Sequence, residues 1–513
     1  MSNPAPKQKV VWKPLPGTQT QALTCPCNHV LLHGPRGWGK TDVQLMMFRR
    51  YVGIGYGEAW RGVIFDREYS MLDDIVKKSQ RWFPQFGDGV KFLASKGDYR
   101  WVWPTGEQLL FRQFREESDY NKYHGQEYSY QGWNELTKQP NAKGYDAMLS
   151  CLRSSFVPDL HTPLNEDGSF ATPDGMALPE IPSMVVSTTN PHGAGHNWVK
   201  SRFIDPVPNG KILRTTTNIF NPRTQTQEDF TSTQVALFGS YRENRFLTPK
   251  YVADLENIKE PNKRRAWLLG DWNIVAGGAI DDLWNEAIHV TPRFPIPPTW
   301  HTDRSFDWGS THPYSVGFWA ESNGEDVVLP DGKIFRSQPG SLIRFDEMYG
   351  TAGVGLNEGV KHSPTRVAKD IIIREKELLN NKWMTKFTWP GPADTQIWNE
   401  EANDDGELES KASKMEDQGI EWTRGKKGAG SRKNGLDLFR DRLEASVLGE
   451  GPGIYFMDNC RASIATLPTL PRDEKNPDDV DTEAEDHVYD DVRYRCLAGN
   501  NRFTTQIKIN APH

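Results

Sequence analysis

Apolar residues occur along this chain in short runs, and each run gives way to glycine, an amide or an acid. Asn28-His-Val-Leu-Leu-His33 is such a run; a glycine-rich loop follows it, then Asp42-Val-Gln-Leu-Met-Met-Phe48, whose composition favours helix. Tyr128-Ser-Tyr-Gln-Gly-Trp133 is β-prone and ends at Asn134 and Glu135, and Ile181-Pro-Ser-Met-Val-Val-Ser187 ends in Thr188, Thr189 and Asn190. In the second half, Arg304-Ser-Phe-Asp307 and Tyr314–Ala320 predict two strands. Ile343–Tyr349 predicts another, and Lys386–Trp389 a further one that leads toward Asp394. Glu485–Tyr494 has helical spacing, and Leu436–Leu443 reads as a short amphipathic helix. Strands and helices mixed in this way predict an α/β fold.

The length of 513 residues exceeds what one core usually organises. Thr291-Pro-Arg-Phe-Pro-Ile-Pro-Pro-Thr299 denies the chain both helix and central strand, so it reads as a linker. The expected division is a first domain over 1–275, a linker over 276–299 and a second domain over 300–513. Hydrophobic residues make up 36% and charged residues 25%, which suits a globular protein. No apolar run approaches the length of a membrane span, and the expectation is a protein that works in a cytoplasm without a membrane partner. Five scattered cysteines predict reduced thiols. The net charge of −7 excludes a uniformly basic nucleic-acid coat but not a local basic groove.

The loop after the first run is Gly34-Pro35-Arg36-Gly37-Trp38-Gly39-Lys40-Thr41. It matches G-x-x-x-x-G-K-[ST], in which backbone amides close around phosphate, Lys40 reaches the β and γ oxygens and Thr41 can ligate Mg²⁺. A second strand end must then supply a carboxylate to orient water. Glu135 is the candidate general base; the alternative is that it opens a helix, where an acid suits the dipole. The preceding position, where an acid is common in this role, holds the neutral amide of Asn134. The polar end of the 181–187 run could sense the γ-phosphate by hydrogen bonding.

Taken together, Pro-Gly-Thr-Gln19, the phosphate loop, Gly-Trp-Asn-Glu135-Leu-Thr and Ser-Thr-Thr-Asn190-Pro-His-Gly resemble the ATPase half of large terminase subunits of tailed double-stranded DNA bacteriophages. The resemblance implies a P-loop NTPase domain with a mainly parallel sheet, ATP with Mg²⁺ as cofactor and Gln19 against adenine. It also implies Arg36 at the γ-phosphate and Thr188 to Asn190 coupling hydrolysis to motion. Either Arg36 or Arg153 would serve as an arginine finger, the alternative for Arg153 being a structural salt bridge.

In the second half, carboxylates gathered from strands and a late helix are what a two-metal nuclease needs. Asp486 and Asp490 lie four apart and share a helix face, while Asp491 projects about 100° away from Asp490. This half resembles the terminase nuclease, which implies an RNase H-like α/β domain holding two divalent cations, Mg²⁺ or Mn²⁺. Carried over by motif, Asp307, Asp394 and Asp490 are its metal acids, with Asp486 and His487 as accessory candidates and Glu347 less favoured. Between the acids lies Thr423-Arg424-Gly-Lys426-Lys427-Gly-Ala-Gly-Ser-Arg432-Lys433, a basic glycine-rich loop suited to DNA phosphates.

The implied function is ATP-driven translocation of viral double-stranded DNA into a procapsid, with metal-dependent endonucleolytic cutting of concatemers. The implied partners are double-stranded DNA, the portal protein, a small terminase subunit and further copies in a ring on the portal. The implied place is the host cytoplasm, transiently at the portal and not in the mature virion. The alternative is an ATP-dependent helicase or translocase whose C-terminal domain binds nucleic acid without cutting it.

Overall fold

The computed structural model describes residues 10–95, 97–259, 264–273, 278–353, 355–402, 408–428, 430–473 and 475–499. The chain forms two compact units, Met1–Ala276 and Gly277–His513. The boundary expected at 275/276 falls outside the described residues.

In the first unit the apolar runs become strands buried on both faces. Val30 and Leu32 pack into one core while Leu31 between them packs into another, which the two-residue period of a central strand produces. The strands are β1 (His29–His33), β2 (Arg61–Asp66), β3 (Lys91–Leu93), β4 (Arg100–Val102), β5 (Gln108–Gln113), β6 (Tyr130–Trp133), β7 (Met184–Thr188), β8 (Leu213–Asn221) and β9 (Thr226–Phe238). They form one sheet in the order β3-β4-β5-β2-β6-β7-β1-β9-β8. The six strands from β5 to β9 in that order are parallel, and β3, β4 and β8 are antiparallel additions.

This order places β7 between the strand that feeds the phosphate loop and the strand that ends at Glu135. All three carry their C-terminal ends to the same edge. Beyond Gln234, where β9 begins to pair with β1, β8 and β9 continue as a two-stranded ribbon that is largely exposed.

The second unit has a mixed sheet, again with a core on each face. Its strands are β10 (Val290–Thr291), β11 (His301–Asp307), β12 (Ser315–Glu321), β15 (Leu342–Tyr349), β16 (Pro392–Ala393), β19 (Thr423–Arg424) and β20 (Ile454–Met457), in the order β10-β20-β15-β12-β11-β16-β19. Two small hairpins, β13 with β14 (Val327–Val328, Ile334–Phe335) and β17 with β18 (Glu400–Ala402, Leu408–Ser410), lie outside it. β11, β12 and β15 form an antiparallel meander, and β16 joins β11 in parallel. The stretch expected as a linker contributes to this unit. Val290–Thr291 pairs with β20, and Phe294 and Ile296 are buried in the core. Prolines keep this stretch out of helix but do not prevent its apolar side chains from being buried.

The last described helix, His487–Ala498, packs closely on the helix Ser431–Leu448. A Cβ at Gly435 would fall 2.3 Å from Arg493 Cγ, so only glycine permits the approach. No helix among the described residues is long and apolar enough to cross a membrane.

Candidate functional site

β1 ends at His33 and the helix Lys40–Arg49 begins at the far side of the loop. Three loop glycines, Gly34, Gly37 and Gly39, have φ of 119°, 98° and 92°, a left-handed backbone that L side chains rarely adopt. Gly34 is further constrained, because a Cβ there would lie 2.6 Å from the Gly239 carbonyl. Gln44 anchors the helix over the sheet by donating to the carbonyls of Trp133 and Val186 at 3.2 and 2.8 Å. Thr41 is half-buried in its first turn, and Arg36 is exposed at the loop's outer side.

The buried Lys40 ammonium donates to the carbonyls of Gly34 and Pro35 at 3.1 and 3.0 Å, and to Asn190 Oδ1 at 2.8 Å. Burial draws its pKa down to about 8, against the opposing pull of the Glu135 charge. Asn190 in turn donates through Nδ2 to both carboxylate oxygens of Glu135, at 3.3 and 3.1 Å. One amide from the end of β7 thus bridges the loop lysine and the carboxylate beyond β6. Glu135 holds φ 50° and ψ 61°, unusual for a side-chain-bearing residue, and its backbone N–H donates to Thr188 Oγ1 at 3.2 Å. Glu135 stands as the residue just before a short 3₁₀ turn and makes no side-chain cap.

Gln19 is buried against this loop. Its Nε2 donates to the Trp38 carbonyl at 2.7 Å, and its Oε1 accepts from the Leu15 N–H at 2.9 Å. It lines a cavity of about 590 Å³ together with Trp12, Gly39, Asp42, Trp82 and Phe246. The volume and aromatic lining suit a heterocyclic base adjoining the phosphate loop. Arg153 lies elsewhere. Its backbone N–H donates to the carbonyl of Tyr128, before the start of β6 and therefore at the opposite end of that strand from Glu135, and its guanidinium faces Glu127 at 3.7 Å.

In the second unit Asp307 closes β11, and Asp394 follows β16, donating its N–H to the Phe306 carbonyl at 3.0 Å. Asp486 stands just before the helix that carries His487 and Asp490 and makes no side-chain cap. Burial first, then the neighbouring charges of Asp490 and Asp394, push the Asp307 carboxyl up to about 8; burial and Asp490 push Asp486 up to about 7. Asp394 is bonded to the residue before Asp307, His487 beside Asp486 reaches Asp307, and Arg432 touches both Asp486 and Asp490, so these acids share one locality. Each is also met by a base. His487 Nδ1 lies 3.3 Å from Asp307 and Lys427 2.9 Å from Asp394. Arg432 lies 3.3 Å from Asp486 and 3.6 Å from Asp490, and Arg493 3.0 Å from Asp490. Although burial opposes its charge, the bond to Asp307 holds His487 up at about 9.

The expected DNA loop is thus partly spent on the acids, while Arg424 stacks on Trp398 at 5.0 Å. Among the described residues, no group of three His, Cys, Asp or Glu side chains is arranged to hold a metal as it stands. The donor set itself, carboxylate oxygens from two strand ends and a helix, suits a hard divalent cation.

Glu347, the less favoured candidate, is placed otherwise, and Asp491, expected to project away from Asp490, is engaged elsewhere. Glu347 accepts from Arg344, from the Ala462 N–H at 2.6 Å and from Ser463 at 2.6 Å, within the core of its own strand. Asp491 is fully buried, paired to Arg344 and accepting from Ser305 at 2.8 Å. Sequence reading missed Asp66, at the end of β2. Its Oδ2 accepts from Asn134 Nδ2 at 2.6 Å.

Fold and sites together describe a two-unit α/β protein, with a glycine-rich loop of the G-x-x-x-x-G-K-[ST] pattern on a mostly parallel sheet and an acid cluster at the end of a mixed sheet. No family model matches the chain, and no curated protein matches it. Among solved structures it is similar to the large terminase of a thermophilic bacteriophage in complex with ADP, at 16% identity over 94% of this chain and 98% of that one, with a TM-score of 0.37. The bacteriophage HK97 large terminase aligns at 11% identity over 93% of each chain, with a TM-score of 0.39. The P22 large terminase nuclease domain aligns at 13% identity over 42% of this chain and 89% of that one, with a TM-score of 0.28.

Proposed function

We propose that the chain is the large terminase subunit of a bacteriophage. In this reading ATP hydrolysis in the first unit drives viral double-stranded DNA into a procapsid, and the second unit cuts concatemeric DNA. The observation that carries the reading is the Lys40–Asn190–Glu135 bridge at the mouth of the phosphate loop, on a chain whose other unit gathers four aspartates at one place.

ATP binds with its phosphates in the loop and its base in the adjoining cavity, between Trp12, Trp82 and Phe246. Gln19 forms the wall between cavity and loop. Thr41 holds the nucleotide's Mg²⁺. Lys40 and Arg36 balance charge developing on the γ-phosphoryl group, and Glu135 orients the attacking water. Asn190, touching both Lys40 and Glu135, reports departure of the γ-phosphate to β7.

In the second unit Asp307, Asp394 and Asp490, aided by Asp486, would hold two Mg²⁺ or Mn²⁺ ions, whose chemistry is to activate water and stabilise the departing oxygen. Lys427 and Arg432 leave the acids and turn to DNA phosphate. His487 retains the Asp307 side chain in place. The partners in this reading are the portal, a small terminase subunit and further copies in a ring, in the host cytoplasm.

A second reading, a translocase whose second unit binds DNA without cutting, is favoured by one observation. Basic side chains occupy the acids, and no described trio of ligands is drawn together. One experiment separates the two. Purified protein is incubated with plasmid and Mg²⁺ or Mn²⁺, with Asp307→Ala and Asp394→Ala beside the wild type, while phosphate release is followed for Lys40→Ala and Glu135→Ala. The terminase reading expects cutting lost in the first pair and turnover lost in the second. Plasmid left uncut by the wild type would favour the second reading, and plasmid cut equally well by Asp394→Ala would remove the acid cluster as the nuclease site.

A further inference from the structure

We infer that Asp66 is a positioning residue of the nucleotide site, and that position 134 carries an amide because position 66 carries a carboxylate. The inference rests on the ATPase reading of the first unit and deepens it.

β2 and β6 run parallel with Phe65 beside Trp133, so Asp66 and Asn134 leave the two strands side by side. Asp66 is 1% exposed. Asn134 donates to it through Nδ2 at 2.6 Å and accepts through Oδ1 from Thr188 Oγ1 at 3.2 Å. Thr188 Oγ1 accepts in turn from the Glu135 backbone N–H at 3.2 Å. An ionised carboxylate only accepts, so Asp66 dictates which end of the Asn134 amide faces it and which faces Thr188. Every donor in the series then points the same way, from the main chain of Glu135 through Thr188 and Asn134 to the charge on Asp66. Charge-assisted bonds of this kind are the stronger ones, and bonds in series polarise one another.

What the series restrains is the backbone of Glu135, which sits in the left-handed region at φ 50°. Such a conformation persists only where the surroundings over-determine it. Without the Asp66 charge the Asn134 amide is free to turn, Thr188 loses its acceptor, and the main chain that aims the carboxylate loses a tether. An acid at 134 instead would set two carboxylates against each other at the present 2.6 Å contact, and one would have to take up a proton. Lys138, with its Nζ 3.6 Å from Asp66 Oδ1, is too far to replace the amide bond.

Exchanging the two residues should therefore do less harm than changing either. In the pair Asp66→Asn with Asn134→Asp, the amide donates from position 66 to the carboxylate at 134, which still accepts from Thr188. Steady-state ATP turnover is measured for wild type, the two single variants, the exchanged pair and Lys40→Ala. Each single variant is expected to lose about tenfold or more in kcat with little change in KM, because the site that binds nucleotide is untouched. The exchanged pair is expected to return to within a few-fold of wild type.

Turnover of Asp66→Asn equal to wild type, with Lys40→Ala inactive, overturns the inference alone. Lys40→Ala turning over like wild type overturns the ATPase reading beneath it. If a single variant fails to fold, the exchanged pair decides by itself. Restored turnover supports the inference, and an exchanged pair no better than the worse single variant ends it.

Discussion

In the first unit the strand ends converge on one ammonium and one carboxylate with a neutral amide between them, whereas in the second they converge on four carboxylates faced by separate basic side chains. Both arrangements sit at the C-terminal ends of parallel neighbours, and both remove charge from water. The first is closed by a side chain that can keep its place when phosphate arrives, since Asn190 is uncharged. The second is closed by cations that compete directly with any metal. Lys40 already donates to three acceptors, so phosphate entry must take over one neutral bond, while metal entry must displace several cations, and the two sites should respond differently to mutation, pH and salt.

The sharpest break is by removal of one centre at a time. Lys40→Ala should reduce ATP turnover by about a hundredfold or more, on the scale of losing a preorganised charge in an active site, and leave plasmid cutting intact. Asp394→Ala should do the reverse. Loss of both activities from either change would merge the two sites into one.

Asn190→Ala should lower turnover by about ten- to a hundredfold, because it leaves the buried Lys40 and the half-buried Glu135 without their bridge. Phosphate release at saturating ATP measures it, and an unaffected rate would reduce Asn190 to a bystander.

Next comes pH. Lys40 has a folded-state pKa depressed to about 8 from an ordinary 10.5, so the free site holds a full ammonium only below that value. Bound phosphate favours the charged form, and binding above pH 8 must take up a proton. Nucleotide affinity should therefore fall as pH rises from about 8 to 10, by at most tenfold per unit. Titration of a fluorescent nucleotide across that range checks the sign; affinity that rises would reverse the assignment.

The smallest effect belongs to Lys427→Ala, which frees Asp394 from a half-exposed ion pair. Pairs of that exposure contribute little to stability, so the melting temperature should hardly move. The Mg²⁺ needed for half-maximal cutting should fall by a few-fold.

The phosphate loop was legible because its signal is local, with glycines and lysine at fixed spacing after an apolar run. The strands that end at Glu135, Asn190 and Asp307 were legible for the same reason. Asp66 was not. Arg-Gly-Val-Ile-Phe-Asp66 is an ordinary strand ending in an acid, and its value comes only from lying next to β6, a fact of sheet order that no spacing encodes. The basic loop at 423–433 was read as suited to DNA phosphates, but its sequence did not show that Lys427 and Arg432 lie on the acids. Sequence displays the charges but not which partner is nearer. The motif around Gln19 was legible, but not that both ends of its amide are held by the protein's own backbone.

The ribbon of β8 and β9 gives the first unit a lever arm. β9 ends at Phe238, whose ring a Cβ at Gly34 would meet at 3.0 Å, and the same strand runs back past its pairing with β1 through 226–233 in the exposed ribbon. Those eight residues span about 27 Å at the rise of an extended strand. A rotation of β9 by about 5° at the loop would sweep the far turn through about 2 Å. A small adjustment around a phosphate thus becomes a displacement of atomic size at a surface distant from it.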